Sequence, residues 1–85
     1  MIQITISDDD LIGQFIQARA VQLGQAPSDV AETIIREGFI QLVRTLHEQF
    51  MRGELSQGKM AELLGISRID LIHLLETLEL QVTNL

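Results

Sequence analysis

The chain has 85 residues, no cysteine and a formal charge of −6, which together exclude several classes of protein. A chain of this length forms one small domain or two very small ones, and association between copies often completes such a core. The lack of cysteine excludes disulfides, thiolate nucleophiles and cysteine-based zinc sites. Because the sequence has neither a leader-like segment nor an apolar run of membrane length, we expect a cytoplasmic protein without membrane association.

The first seven residues alternate apolar and polar side chains. Ile2, Ile4 and Ile6 alternate with Gln3 and Thr5, a pattern typical of a half-buried β-strand. A lone strand leaves its backbone N–H and C=O groups unpaired, so the pattern predicts an antiparallel pair with a second copy of the chain. We therefore expect a homodimer through N-terminal strands, with the two polar side chains on its outer face.

The residues that follow have helical periodicity, interrupted by capping and turn signals. Ser7 as N-cap, with the acidic run 8–10 in the first turn, and Gly24 predict the two ends of a first helix. Pro27 and Gly53 predict those of a long second helix. Gly38 lies inside the second helix, at a cost of about 1 kcal/mol relative to alanine, and is typical of close helix packing or a bend.

Two short helices are predicted in the last third of the chain. Ser56 and Ser67 are candidate N-caps, and Gly65 predicts the turn between the two helices. The last residues, 80–85, alternate weakly, and we expect a frayed or loosely docked end. The joint at residues 53–55 divides the chain into a predicted dimerisation and DNA-binding part, 1–52, and a helix-turn-helix-like part, 53–85.

Residues 1–50 resemble the ribbon-helix-helix family of dimeric prokaryotic DNA-binding proteins. The matching runs are Ile2-Gln3-Ile4-Thr5-Ile6, Asp9-Asp10-Leu11, Leu23-Gly24 and Ser28-Asp29-Val30-Ala31. The resemblance implies a mostly α, intertwined homodimer whose two-stranded ribbon enters the DNA major groove. It also implies that Gln3 and Thr5 contact bases and that the start of the second helix, at Ser28, contacts a phosphate.

Residues 53–83 resemble the helix-turn-helix half of a small prokaryotic family regarded as antitoxin-like. The matching run is Gly53 to Arg68, GELSQGKMAELLGISR, followed by Leu71 and Leu75. The resemblance implies a C-terminal helical hairpin, in which Arg68 would contact a phosphate or a guanine. The same hairpin also serves as a dimerisation or partner-binding unit, and we favour that interpretation over DNA recognition.

No catalytic, metal or cofactor site is predicted. The sequence offers no nucleophile paired with a base and no glycine-rich phosphate loop, and His47 and His73 lack the spacing of metal ligands. We therefore do not expect an enzyme.

The function that we favour is a small dimeric DNA-binding transcriptional regulator of antitoxin type. Its ribbon would lie in the major groove of operator DNA, and its C-terminal half would engage a toxin or another partner protein. The predicted DNA contacts are Gln3, Thr5, Ser28 and Arg68. The alternative is an acidic protein-interaction or scaffold dimer that binds no nucleic acid. A charge of −12 for two chains of −6 each favours this alternative, as does the lack of any Arg or Lys before Arg19.

Overall fold

The computed structural model describes residues 2–84, and all of their regular secondary structure is helical. Met1 and Leu85, the first residue of the predicted strand and the last of the predicted tail, lie outside the described residues. The helices are α1 (Leu11–Leu23), α2 (Pro27–Met51), α3 (Gln57–Leu64) and α4 (Arg68–Thr77).

The chain divides into two compact units, Met1–Gly38 and Phe39–Leu85, which we call the N-terminal unit and the C-terminal unit. The boundary between them falls inside α2. The sequence-based division into parts 1–52 and 53–85 stays a prediction.

Local capping residues define the helix ends, and those of α3 and α4 are as the sequence predicts. The predicted cap of the first helix, Ser7, is wrong, because residues 8–10 form a turn before α1 and not its first turn. Asp10 caps α1 by accepting a hydrogen bond from the Ile12 amide at 2.8 Å. Ser56 and Ser67 cap α3 and α4, each accepting from the backbone amide three residues further on at 3.0 Å. Gly65 ends α3 in the left-handed conformation, with φ of 70°, which glycine adopts without strain.

The predicted N-terminal strand is wrong for the described part of the chain. Residues 2–7 form no regular secondary structure, and the side chains of Ile2 and Ile4 are 87% and 59% exposed. Alternation shows which side chains would share a face, but a strand also needs a neighbouring backbone with which to bond. Residues 2–84 offer no such neighbour. The ribbon-helix-helix fold with its N-terminal ribbon is therefore wrong, although an all-helical chain is consistent with the mostly α class.

The N-terminal segment approaches α1 closely at one point. A turn before the helix is closed by a 3.0 Å hydrogen bond from the Asp10 amide to the Ser7 carbonyl. Gly13 is buried beside this turn, and a Cβ built on it would overlap the Ser7 carbonyl oxygen. The close approach therefore requires glycine at this position.

The N-terminal unit has a small core. Ile16, Ala20 and Val30 are buried, and Ala31 and Ile34 pack against them. Many large apolar side chains of this unit are exposed instead: Ile2, Ile4, Ile6, Leu11, Ile12, Phe15, Val21, Leu23 and Ile35.

The C-terminal unit has a larger core. Met60, Leu71 and Leu75, from α3 and α4, have no exposed surface. Val43 and Phe50, both from α2, complete the buried cluster together with Ala61. Burial of leucine-sized side chains stabilises by about 1.5–3 kcal/mol each, so most of the hydrophobic stabilisation of this unit comes from these contacts.

The C-terminal tail is packed, whereas the sequence favours a frayed or loosely docked end. Leu80 and Val82 pack against the core of the C-terminal unit. The Gln81 carbonyl lies 2.8 Å from Nε2 of His47, and the Asn84 side-chain amide donates to the Phe50 carbonyl at 3.4 Å. The weak alternation thus reflects two apolar side chains that face the core, in a segment without strand pairing.

Candidate functional site

The N-terminal unit carries an open apolar groove of about 290 Å³. It lies between the N-terminal segment, α1 and the start of α2, and we call it the N-terminal groove. Ile35 lines it and is 50% exposed. The other large apolar side chains of its lining are Ile4, Ile6, Ile12, Ile16 and Ile34.

The three predicted DNA contacts of the N-terminal unit are all exposed. Gln3 and Thr5 lie in the segment without regular structure. Ser28 lies in the first turn of α2 and lines the N-terminal groove, as does Ile4 from between the two polar residues. No hydrogen bond joins these three polar side chains to one another among the described residues. Their role as DNA contacts stays a prediction.

The amino end of α2 offers few groups that could hold a phosphate. Pro27 has no N–H, and the amides of Asp29 and Val30 donate to the Ala26 carbonyl at 3.0 and 3.3 Å. The carboxylate of Asp29 also places negative charge in the first turn. That charge complements the helix dipole, which reduces the attraction of this end for a phosphate.

Arg68 lies at the exposed start of α4, in the hairpin that α3 and α4 form. Ala61 is 3% exposed, and its small side chain allows the close helix packing that is typical of a helix-turn-helix. Ser67 caps α4, the second helix of the hairpin, so Arg68 is the first residue of α4. Ile69, Asp70 and His73 are also exposed on α4, so this surface has a cation, an apolar side chain, a carboxylate that repels phosphate and an imidazole.

The charges are unevenly divided between the units. The C-terminal unit holds most of the cations of the chain: Arg44, Arg52, Lys59 and Arg68. The N-terminal unit holds only Arg19 and Arg36. Each unit holds six acids, so the net charge is −4 for the N-terminal unit and −2 for the C-terminal unit. A nucleic-acid contact is therefore less opposed by charge in the C-terminal unit.

A half-buried glutamine links Arg68 to the C-terminal tail. Nη2 of Arg68 donates to Oε1 of Gln57 at 3.1 Å, and Nε2 of Gln57 donates to the Val82 carbonyl at 3.0 Å. Sequence reasoning assigned no role to Gln57 or the tail. The sequence shows only that Gln57 lies at the start of a helix. That position does not reveal its hydrogen bond to Val82, 25 residues further on.

Other charged groups offer no constellation for chemistry. Arg52 and Glu54 form an exposed ion pair. The hydrogen bond that Arg52 donates to Glu54, and then the charge of Glu54, raise the pKa of Arg52. Within residues 2–84, no three His, Asp or Glu side chains lie close enough to hold a metal ion. None of the described helices combines the length and apolar character needed to cross a membrane.

Comparisons with known proteins found no protein family, no curated protein and no solved structure that matches this chain.

Proposed function

We propose that this protein is a small DNA-binding transcriptional regulator of antitoxin type, and that the helical hairpin of α3 and α4 contacts the DNA. The single observation that carries the proposal is the exposed position of Arg68 at the start of α4, a helix that the buried side chains of Leu71 and Leu75 hold in the core. We expect the regulator to act in the cytoplasm. Its antitoxin type, with a toxin or another protein as partner, rests on the resemblance of residues 53–83 alone.

The geometry of the hairpin suits a recognition helix. Leu71 and Leu75 anchor α4 in the core, so its opposite face is free to contact a ligand. The first residues of a recognition helix are those that reach the base edges in a helix-turn-helix. The guanidinium of Arg68 has five donors and suits either a phosphate or the O6 and N7 atoms of guanine.

Binding to labelled DNA from just upstream of the gene, titrated at several salt concentrations beside a scrambled fragment, tests the proposal. We expect saturable binding that prefers the upstream fragment and weakens as salt rises. Arg68→Ala should weaken binding about tenfold or more if Arg68 contacts a base, and should lower the salt slope by about 1 if it contacts a phosphate.

Arg44→Ala is the matched control, because Arg44 is an exposed arginine of the same unit on α2. It removes the same charge. An equal loss of DNA affinity in both variants would therefore show that Arg68 acts only through its charge and not through a specific contact. Absence of binding by the unaltered protein at low salt would contradict the proposal.

A second candidate function is that of an acidic protein-interaction dimer without nucleic-acid binding. The N-terminal groove and the net charge of −6 favour it. The two candidates share the expected homodimer and differ in the DNA titration, so a dimer that fails to bind either fragment would support the second.

The expected homodimer would form through the N-terminal unit. The same unit offers an apolar groove and, beside it, protruding apolar side chains such as Ile2, Leu11 and Phe15. In a two-fold contact the same surface of each copy faces the other copy, so the protruding side chains of each copy would fill the groove of its partner. Within one chain the buried core of this unit consists only of Ile16, Ala20 and Val30. Apolar side chains buried between two copies would enlarge that core.

A further inference from the structure

We propose that the docked C-terminal tail, residues 80–84, sets the position of the Arg68 guanidinium through the side chain of Gln57. Val82 and Gln57 are then positioning residues, and Arg68 is the residue that contacts the ligand. The use of this positioning in DNA binding rests on the proposed function, whereas the positioning itself concerns only residues of the C-terminal unit.

The side-chain amide of Gln57 has only one orientation that satisfies both neighbours. Its NH₂ group must face the Val82 carbonyl, because a carbonyl only accepts, and its oxygen must face Arg68, because a guanidinium only donates. The observed distances of 3.0 and 3.1 Å are those of ordinary hydrogen bonds. A rotated amide would place oxygen against oxygen and donor against donor, so the tail carbonyl fixes which atom faces Arg68.

The tail can act as a fixed point because it is held independently of Gln57. Leu80 and Val82 pack against the core, which anchors the segment through side chains. His47 on α2 is 8% exposed, and its Nε2 lies 2.8 Å from the Gln81 carbonyl. The Val82 carbonyl therefore has a defined place relative to the start of α3.

A positioned guanidinium has an advantage over a free one. Arginine loses up to about 2 kcal/mol of side-chain conformational freedom when it is immobilised. A hydrogen bond that already orders the side chain reduces the freedom left to lose on binding. One bond to Gln57 leaves the other N–H groups of Arg68 available for a phosphate or a base.

The test follows the Arg68 Nη–H signals by nitrogen NMR in the full chain at low temperature, because Nη2 donates the bond to Gln57. In the unaltered protein we expect a signal separate from that of the exposed Arg44. Gln57→Ala, which removes both bonds, should move the Arg68 signal to the position of a free arginine. Gln81→Ala is the matched control, because it removes a tail glutamine side chain but keeps the backbone carbonyl that His47 contacts.

Gln57→Glu separates the tail bond from the Arg68 bond. A carboxylate accepts from Arg68 but cannot donate to the Val82 carbonyl, so at neutral pH we expect the Arg68 signal to move. Arg68 lowers the pKa of this carboxyl below the ordinary glutamic acid value of about 4.3, so it is protonated only well below that pH. The protonated group has a donor and an acceptor again, and the signal should return. The unaltered protein at both pH values corrects for other changes, and methyl spectra check that the core of the C-terminal unit is retained.

An Arg68 signal that is the same in the unaltered protein and in Gln57→Ala, or that stays in place in Gln57→Glu at neutral pH, would overturn the proposal. DNA titrations add an independent readout. Gln57→Ala should weaken binding about threefold to tenfold, but it should have no further effect when Arg68→Ala is already present. If the unaltered protein binds no DNA, the proposed function fails while the NMR result still decides the positioning.

Discussion

Gly13 in α1 and Gly38 in α2 both lie inside helices, but their surroundings differ. Gly13 is buried against the carbonyl of Ser7, whereas a Cβ built on Gly38 would meet no atom of the described chain within 4 Å, apart from its own helix and chain neighbours. The sequence predicts either close helix packing or a bend at Gly38. Within residues 2–84, close packing is seen at Gly13 and not at Gly38.

Gly13→Ala should destabilise the protein although alanine is the better helix former. The new Cβ must displace the backbone at Ser7, which breaks the turn closed by the Asp10 amide, and we expect a loss of about 1–2 kcal/mol in the free energy of unfolding. Gly38→Ala is the control and should stabilise by up to about 1 kcal/mol. Urea denaturation of the two variants measures both effects, and a Gly13→Ala protein that is as stable as Gly38→Ala would refute the close approach.

Glu79→Gly should stabilise the protein. Glu79 follows the end of α4 with φ of 58°, a left-handed conformation that costs a side-chain-bearing residue about 1–2 kcal/mol. Glycine removes this strain but gains freedom in the unfolded chain, so we expect a net gain of about 0.5–1 kcal/mol in thermal or urea unfolding. Glu76→Ala controls for the removal of a negative charge near the same helix end, and it should give the smaller gain.

At the scale of elements, the sequence predicts what local interactions determine. The helix ends at Gly24, Ser67 and Gly65 are set by bonds between residues up to five positions apart, so the capping signals sufficed there. At the start of α1 the cap is Asp10 and not Ser7, because Ser7 accepts the bonds that close the turn before the helix. The strand prediction failed because strand pairing depends on a second backbone, which alternation does not supply. The tail was missed because its acceptors are backbone carbonyls that any residue has, and their partners lie 25 and 34 residues away.

Ser67→Ala should loosen the start of α4. The Ser67 hydroxyl accepts from the Asp70 amide at 3.0 Å, and loss of an N-cap costs about 1 kcal/mol. Ser67→Asp should retain stability, because a carboxylate accepts the same bond and suits the helix dipole. Amide hydrogen exchange at Asp70 measures the local effect, and unchanged exchange in Ser67→Ala would show that the cap contributes nothing.

At the scale of the whole molecule, the two units differ in how far each completes its own core. The C-terminal unit buries side chains from three helices and from its tail, and so reaches full burial at Val43, Met60, Leu71 and Leu75. The N-terminal unit leaves most of its isoleucines exposed around the N-terminal groove. Contiguous apolar surface of this kind is typical of an interface, which is why we expect assembly to depend on the N-terminal unit.

Ile35→Asp should therefore prevent assembly without unfolding the C-terminal unit. Ile35 is half exposed on α2 and lines the N-terminal groove, so a carboxylate there would be desolvated in any complex that fills the groove. Sedimentation equilibrium over a range of concentrations should give a dimer for the unaltered protein and a monomer for this variant. Leu63→Asp, at an apolar residue of α3 that is 53% exposed, is the matched control and should remain dimeric. A monomeric unaltered protein would contradict the expected assembly. Loss of the dimer in Leu63→Asp alone would place the assembly surface elsewhere than in the N-terminal groove.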